Sequence, residues 1–219
     1  MKVWVTQLGF HGSRPGAFVP RPSSELMVNR ALRRLRSFRD PIVVDACTGA
    51  GPIALAVAYE RPDAQVWGTD ISDEGLRQAR NNARNLELNN LRFRRGDMYG
   101  ALPRRLLNQV SLITAHVPYV PVGELDNLPA EVTDHEPVFT LTDQSGDGFD
   151  LMSRAIAEAP QWLRPGGWLL LEMSEDFTPR ARKLCRKAGL EDKGAATDSD
   201  HLSAIVEARE RPLRGRGPR

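Results

Sequence analysis

Cysteine is scarce in this chain. Cys47 and Cys185 are the only two in 219 residues. They lie far apart in no metal-ligand spacing, which excludes a disulfide framework and a zinc site. Long apolar runs are missing as well. No stretch approaches the roughly 18 residues that a membrane span needs, and Met1-Lys-Val-Trp-Val-Thr6 has no apolar core of the kind a secretory signal carries. The expectation is a cytoplasmic protein with no membrane partner. Net charge is small, at +2, so the body gives no electrostatic footprint for nucleic acid. Aromatic residues make up 6%, so a stacking platform for an unpaired base would have to come from few side chains. The exception to the charge balance is the end of the chain after Glu207, where Arg209, Arg211, Arg214, Arg216 and Arg219 lie among Gly and Pro. Such a composition suits contact with RNA or an acidic partner, and its plainer reading is a disordered, solvated tail.

What is present is an ordinary globular composition, 41% hydrophobic and 26% charged, long enough for one domain with a real core. Val3–Thr6 and Ala17–Val19 read as short strands around a turn, giving a hairpin extension over residues 1–21. Pro22 opens a helix with Leu26, Val28, Ala31 and Leu35 on its apolar stripe. From Pro41 strands and helices alternate: strands at Ile42–Ala46, Gln65–Thr69, Leu91–Arg95, Val110–Ala115 and Gly167–Met173, with helices at Pro52–Tyr59, Asp73–Leu86, Phe149–Leu163 and Pro179–Ala188. Gly194–Asp198 and Ser203–Ala208 close the pattern as two strands with no helix between them. This alternation predicts an α/β domain over 22–209, with a mostly parallel sheet covered on both faces and an antiparallel element at one edge, before the basic tail at 210–219. The polar segment Pro118–Gly146 is too long for a simple connector, and such loops bind something or move.

The first strand runs into Asp45-Ala-Cys47-Thr48-Gly49-Ala50-Gly51. Glycines at a strand-to-helix turn let the backbone approach a ligand closely. Asp70 ends the next strand about 20 residues on, where a carboxylate can accept both ribose hydroxyls of an adenosine, with Ile71 beside it. A dinucleotide site would set a pyrophosphate on this turn, and Asp45 opposes that charge; against the ammonium of a methionine moiety Asp45 is favourable. S-adenosylmethionine therefore fits better than a nicotinamide dinucleotide. Asp97, after the third strand, is placed for an adenine amino group and Met98 for the ring. As a plain fold feature, the same turn would be a tight connection with Asp70 capping the next helix.

After the fourth strand comes His116-Val117-Pro118-Tyr119. With the Gly turn, Asp70 and Gly96-Asp97, and with Phe18-Val-Pro-Arg-Pro-Ser-Ser-Glu25, His135-Glu-Pro137, Gly146-Asp-Gly-Phe-Asp150 and Leu163-Arg-Pro-Gly-Gly167, the chain resembles the HemK/PrmC-type methyltransferases from about Phe18 to Ala208. That family methylates the glutamine side-chain amide of translation release factors. The resemblance implies a class I methyltransferase fold, a seven-stranded Rossmann-like sheet in the order 3-2-1-4-5-7-6, with S-adenosylmethionine as methyl donor and S-adenosylhomocysteine as product. It departs in three places. The family's bacterial members carry an N-terminal helical domain that grips the release factor, and only the hairpin stands here. Cys47 replaces a usual Gly. His116 and Val117 replace the first two residues of Asn-Pro-Pro-Tyr.

In that loop the Asn carbonyl and the next backbone carbonyl each accept one amide hydrogen while Tyr packs on the planar group. Here the Val117 carbonyl, Pro118 and Tyr119 remain. The His116 imidazole has one donor and one acceptor when neutral and can also take a proton. A glutamine amide, a hydroxyl, a carboxylate or another amine is thus an admissible acceptor on a protein, peptide or small molecule. The competing reading is a cofactor-binding partner protein with weak catalysis; a nicotinamide oxidoreductase is opposed by Asp45 and Asp97. His135 and Glu136 find no further ligands for a metal and read as structural or as part of a lid. His11 and His201 read as surface residues.

Overall fold

The computed structural model describes residues 23–128, 137–197 and 203–212. The hairpin expected at 1–21, His11, His135, Glu136, His201 and the end of the basic tail lie outside them. Seven strands form one sheet in the order β3-β2-β1-β4-β5-β7-β6: β1 (Ile42–Ala46), β2 (Gln65–Asp70), β3 (Leu91–Arg95), β4 (Val110–Ala115), β5 (Leu163–Met173), β6 (Glu191–Thr197) and β7 (Ala204–Arg209). β1 to β5 are parallel, and β7 runs antiparallel to β5 and β6. The order is the one expected from the resemblance.

Strands covered on both faces are apolar at every position rather than alternately, and β4 is buried from end to end. Its neighbours divide with period two. Val43, Val66, Leu112, Leu170 and Ile205 face α1 (Ser23–Leu35) and α2 (Pro52–Glu60), while Val44, Ile113, Leu169, Leu171 and Val206 face α4 (Asp150–Trp162) and α5 (Thr178–Lys187). α3 (Asp73–Asn85) begins at Ser72, whose hydroxyl accepts from Gly75 N at 3.0 Å, with Asp73 and Glu74 in the first turn where the helix dipole favours them. α1 buries Met27, Val28, Ala31 and Leu35. Met27 takes the place expected of Leu26, which is only partly buried at the margin of the same cluster.

α1 is also pinned to the sheet by charge. The fully buried Glu207 on β7 accepts from Arg34 Nε at 2.6 Å and from Arg30. β5 starts four residues earlier than expected. The Arg164-Pro-Gly-Gly167 turn is absorbed as an irregularity, with the register shifting between Val110 and Leu112. Gly167 permits this, because a β-carbon there would lie 2.8 Å from the Val110 carbonyl oxygen. Short 3-10 helices occupy Met98–Ala101 and Arg104–Leu106 and, within the long polar segment, Val122–Asn127 and Val138–Thr140, so parts of that segment are locally ordered. No helix among the described residues is long and apolar enough to cross a membrane.

Candidate active site

β1 and β4 are adjacent parallel strands with Ala46 opposite Ala115. The turn starting at Cys47 and the loop starting at His116 therefore leave the sheet side by side. The chain winds from β1 toward β2 on one side and from β4 toward β5 on the other, so this is the switch point where open α/β sheets form their ligand crevice.

The Gly turn is braced from beneath. Asp45 is buried; one carboxylate oxygen accepts from Thr48 Oγ1 at 2.6 Å and the other from Thr114 Oγ1 at 2.7 Å. Burial pushes its carboxyl up to about 6, against the pull of those two hydroxyls. Cys47 and Gly49 both adopt left-handed backbone, φ 56° and 54°. Cys47 thus occupies, with a side chain, a conformation that favours Gly, and its Sγ lies 3.5 Å from the sulfur of buried Met98. Burial raises the Cys47 thiol well above its usual range. Gly51 is enclosed, since a β-carbon there would come within 3.1–3.2 Å of Leu55, Ala79 and Phe93. One on Gly49 would meet nothing within 4 Å, so Gly49 marks the open side of the turn. Asp70 stands across it. One of its carboxylate oxygens accepts from Gly49 N at 2.7 Å and the other from Ser72 N at 2.8 Å. Burial raises its carboxyl, opposed by those amides. Each oxygen retains acceptor capacity beyond one bond. Ile71, next in the chain, is an exposed apolar side chain at 54%. Asp97 is exposed and accepts from Arg154 Nη2 at 2.8 Å, a partner that sequence spacing did not indicate.

On the β4 side, Val117 turns its side chain into the core, leaving its backbone as the polar part. The His116 and Tyr119 rings lie nearly parallel, 23° apart with centroids 5.8 Å distant. Phe177 meets Tyr119 edge-on at 6.0 Å and Phe149 at 5.4 Å. Gly148 closes the back of the loop at φ 67°, where a β-carbon would fall 2.1 Å from the Tyr119 carbonyl oxygen. Beneath His116, its Nδ1 stands 3.5 Å from Oε2 of Glu172 on β5. The two loops and Asp70 are legible in the sequence, whereas Glu172, Gly148 and Phe177 come to the site only through the fold. Of these only Gly148 carried a signal, as part of the Gly146-Asp-Gly-Phe-Asp150 motif.

Residues 39–208 match the family model described as a methyltransferase domain. The release factor glutamine methyltransferase of Xylella fastidiosa (strain 9a5c) is 39% identical over 200 residues, which span 91% of this chain and 68% of that protein. Among solved structures, a SAM dependent methyltransferase from Aquifex aeolicus superposes with a TM-score of 0.58 at 14% identity, covering 83% of this chain and 88% of that one. A T. thermophilus 16S rRNA methyltransferase in complex with AdoMet and guanosine gives 0.62 at 20% identity, over 88% of this chain and 44% of that one. These two likenesses speak to the fold. With the matched domain and the Xylella relative, the sheet order has one reading: the chain belongs to the HemK/PrmC-type family of S-adenosylmethionine-dependent methyltransferases.

Proposed function

We propose that this enzyme methylates the side-chain amide of a glutamine in a protein of the release-factor class, in the cytoplasm. The observation that carries the reading is the stacked pair His116 and Tyr119 at the mouth of β4, beside the open face of the Gly turn. Two near-parallel rings on a loop stiffened by Pro118 offer a flat contact for a planar group. The residues on the β1 side suit the cofactor. Asp70 has acceptor capacity for a ribose diol, Ile71 offers apolar cover for adenine, the open side of the turn at Gly49 admits close approach, and Asp45 supplies negative charge toward an ammonium group. When bound there, S-adenosylmethionine supplies a methyl group on a positively charged sulfur.

The chain's own work is placement, which is the larger part of catalysis for an in-line displacement. The Val117 carbonyl accepts one amide hydrogen and His116 the other, which turns the nitrogen lone pair toward the methyl donor. Tyr119 packs on the amide plane. Exposed Val122, Val138 and Phe139 in the segment after Tyr119 suit a macromolecular acceptor, since exposed apolar side chains favour contact with a partner surface. The test is incubation with a recombinant bacterial release factor and isotope-labelled S-adenosylmethionine, followed by mass spectrometric mapping. Label on a glutamine side chain supports the proposal. Unlabelled release factor, or label on a carboxylate or hydroxyl, rejects it.

A further inference from the structure

Glu172 is a glutamate within an apolar strand run, Trp168-Leu-Leu-Leu-Glu172-Met. Its side chain is 1% exposed. Among the described residues, Oε1 receives a long contact from Ser203 Oγ, at 3.4 Å, and Oε2 has no hydrogen-bond partner. A buried carboxylate oxygen left without a donor is costly, so its retention calls for a reason. The register supplies one. Ala115 on β4 lies opposite Leu171 on β5, which brings the next residues, His116 and Glu172, side by side. The His116 Nδ1 is the polar group set against Oε2, at 3.5 Å.

We infer that Glu172 is a positioning residue that fixes the tautomer of His116, and so makes His116 a hydrogen acceptor toward the methyl acceptor. The inference rests on the His116 loop being the acceptor site. A carboxylate only accepts, so the neutral ring facing it carries its proton on Nδ1 and keeps its lone pair on Nε2, across the ring. This gives His116 the polarity of the Asn carbonyl in the Asn-Pro-Pro-Tyr loop it replaces. It also narrows the substrate class: the group methylated must bring a hydrogen, as an amide, amine or hydroxyl does and a carboxylate does not. For an amide, the new nitrogen–carbon bond forms as the sulfur–carbon bond of the cofactor breaks. The nitrogen's proton moves to Nε2, the imidazolium is balanced by Glu172, and S-adenosylhomocysteine leaves.

The direct test is nitrogen-15 NMR of the imidazole rings in mildly alkaline solution, with His116 assigned by its loss in His116→Ala. A bare Nε2 and protonated Nδ1 in the wild type, with the pattern inverted or mixed in Glu172→Gln, is the expected result. A proton on Nε2 in the wild type, a doubly protonated ring, or a spectrum that Glu172→Gln leaves unchanged overturns the inference. This readout needs neither cofactor nor substrate, so it stands even if the release factor is not the acceptor. Glu172→Gln should lower kcat by up to about 10^4-fold, the scale of a wrongly held tautomer, with KM for S-adenosylmethionine unchanged. In a His116→Ala background the same change should have no further effect, because residues acting through one another are not additive. An equal loss in both backgrounds would mean that Glu172 acts on the fold alone.

Discussion

Replacing Gly148 with alanine should separate the acceptor half of the site from the cofactor half. A β-carbon at this position would lie 2.1 Å from the Tyr119 carbonyl oxygen, 2.8 Å from its carbon and 2.9 Å from Pro121 N. Comfortable carbon contacts begin near 3.5 Å, so the backbone at Tyr119–Pro121 must retreat by about 1 Å. The obstacle is main chain and no rotamer change relieves it. Displacement of that size in a positioning loop costs about 100-fold in rate. The left-handed backbone at φ 67° adds about 1–2 kcal/mol of strain for alanine, partly offset by the stiffer unfolded chain. At this chain length that strain corresponds to a loss of about 2–8 °C in melting temperature. The assay is methyl transfer to release factor alongside calorimetric titration of S-adenosylhomocysteine. Turnover should collapse while cofactor affinity holds. Gly146→Ala is the control, since a β-carbon there meets nothing within 4 Å. Wild-type turnover in Gly148→Ala, or a parallel loss of cofactor affinity, would refute the reasoning.

Asp45 gives a pH dependence. Its carboxyl is raised from 3.8 to about 6 in the folded protein, so the native state holds the proton more tightly than the unfolded chain. The stability this contributes is present below 3.8 and lost as pH rises through about 6, amounting to about 3 kcal/mol. A cationic ligand favours the ionised form, so S-adenosylhomocysteine should bind more weakly as pH falls below about 6, and titrations of Asp45→Asn should lack that slope. Glu207→Ala should destabilise by about 3–5 kcal/mol, because it leaves Arg30 and Arg34 facing a buried hole; chemical denaturation measures this, and a loss below about 1 kcal/mol would reduce the pair to an ordinary surface contact.

The sheet was legible because parallel strands buried on both faces are short, predominantly apolar and separated by helices, as Ile42–Ala46 and Val110–Ala115 are, each with a polar residue or two near its end. The closing antiparallel pair was legible from two strands with no helix between them. The start of β5 was not, because Arg164-Pro-Gly-Gly167 has turn chemistry and joins the sheet only through the close approach of Gly167 to Val110. The Gly turn, Asp70 and the His116 loop announced themselves by residue type and spacing. Glu172 did not, because its chemistry exists only through the β4–β5 register. The same holds for the Asp97–Arg154 pair, 57 residues apart, and for Glu207, whose two arginines sit on the first helix. Asp45 illustrates a partial reading. Its charge was read toward a ligand, while the hydroxyls of Thr48 and Thr114 that hold both its oxygens emerge only in the fold.

The central claim is a division of labour, with the β1–β2 side holding the cofactor and the His116–Tyr119 loop holding the acceptor. Calorimetric titration of S-adenosylhomocysteine into the wild type, Asp70→Ala and His116→Ala tests it most directly. The expected result is equal affinity for the wild type and His116→Ala, and a loss of about 2 kcal/mol or more for Asp70→Ala, as when an ionised hydrogen-bonding partner is removed. No binding to the wild type, or equal losses in the two variants, would contradict it.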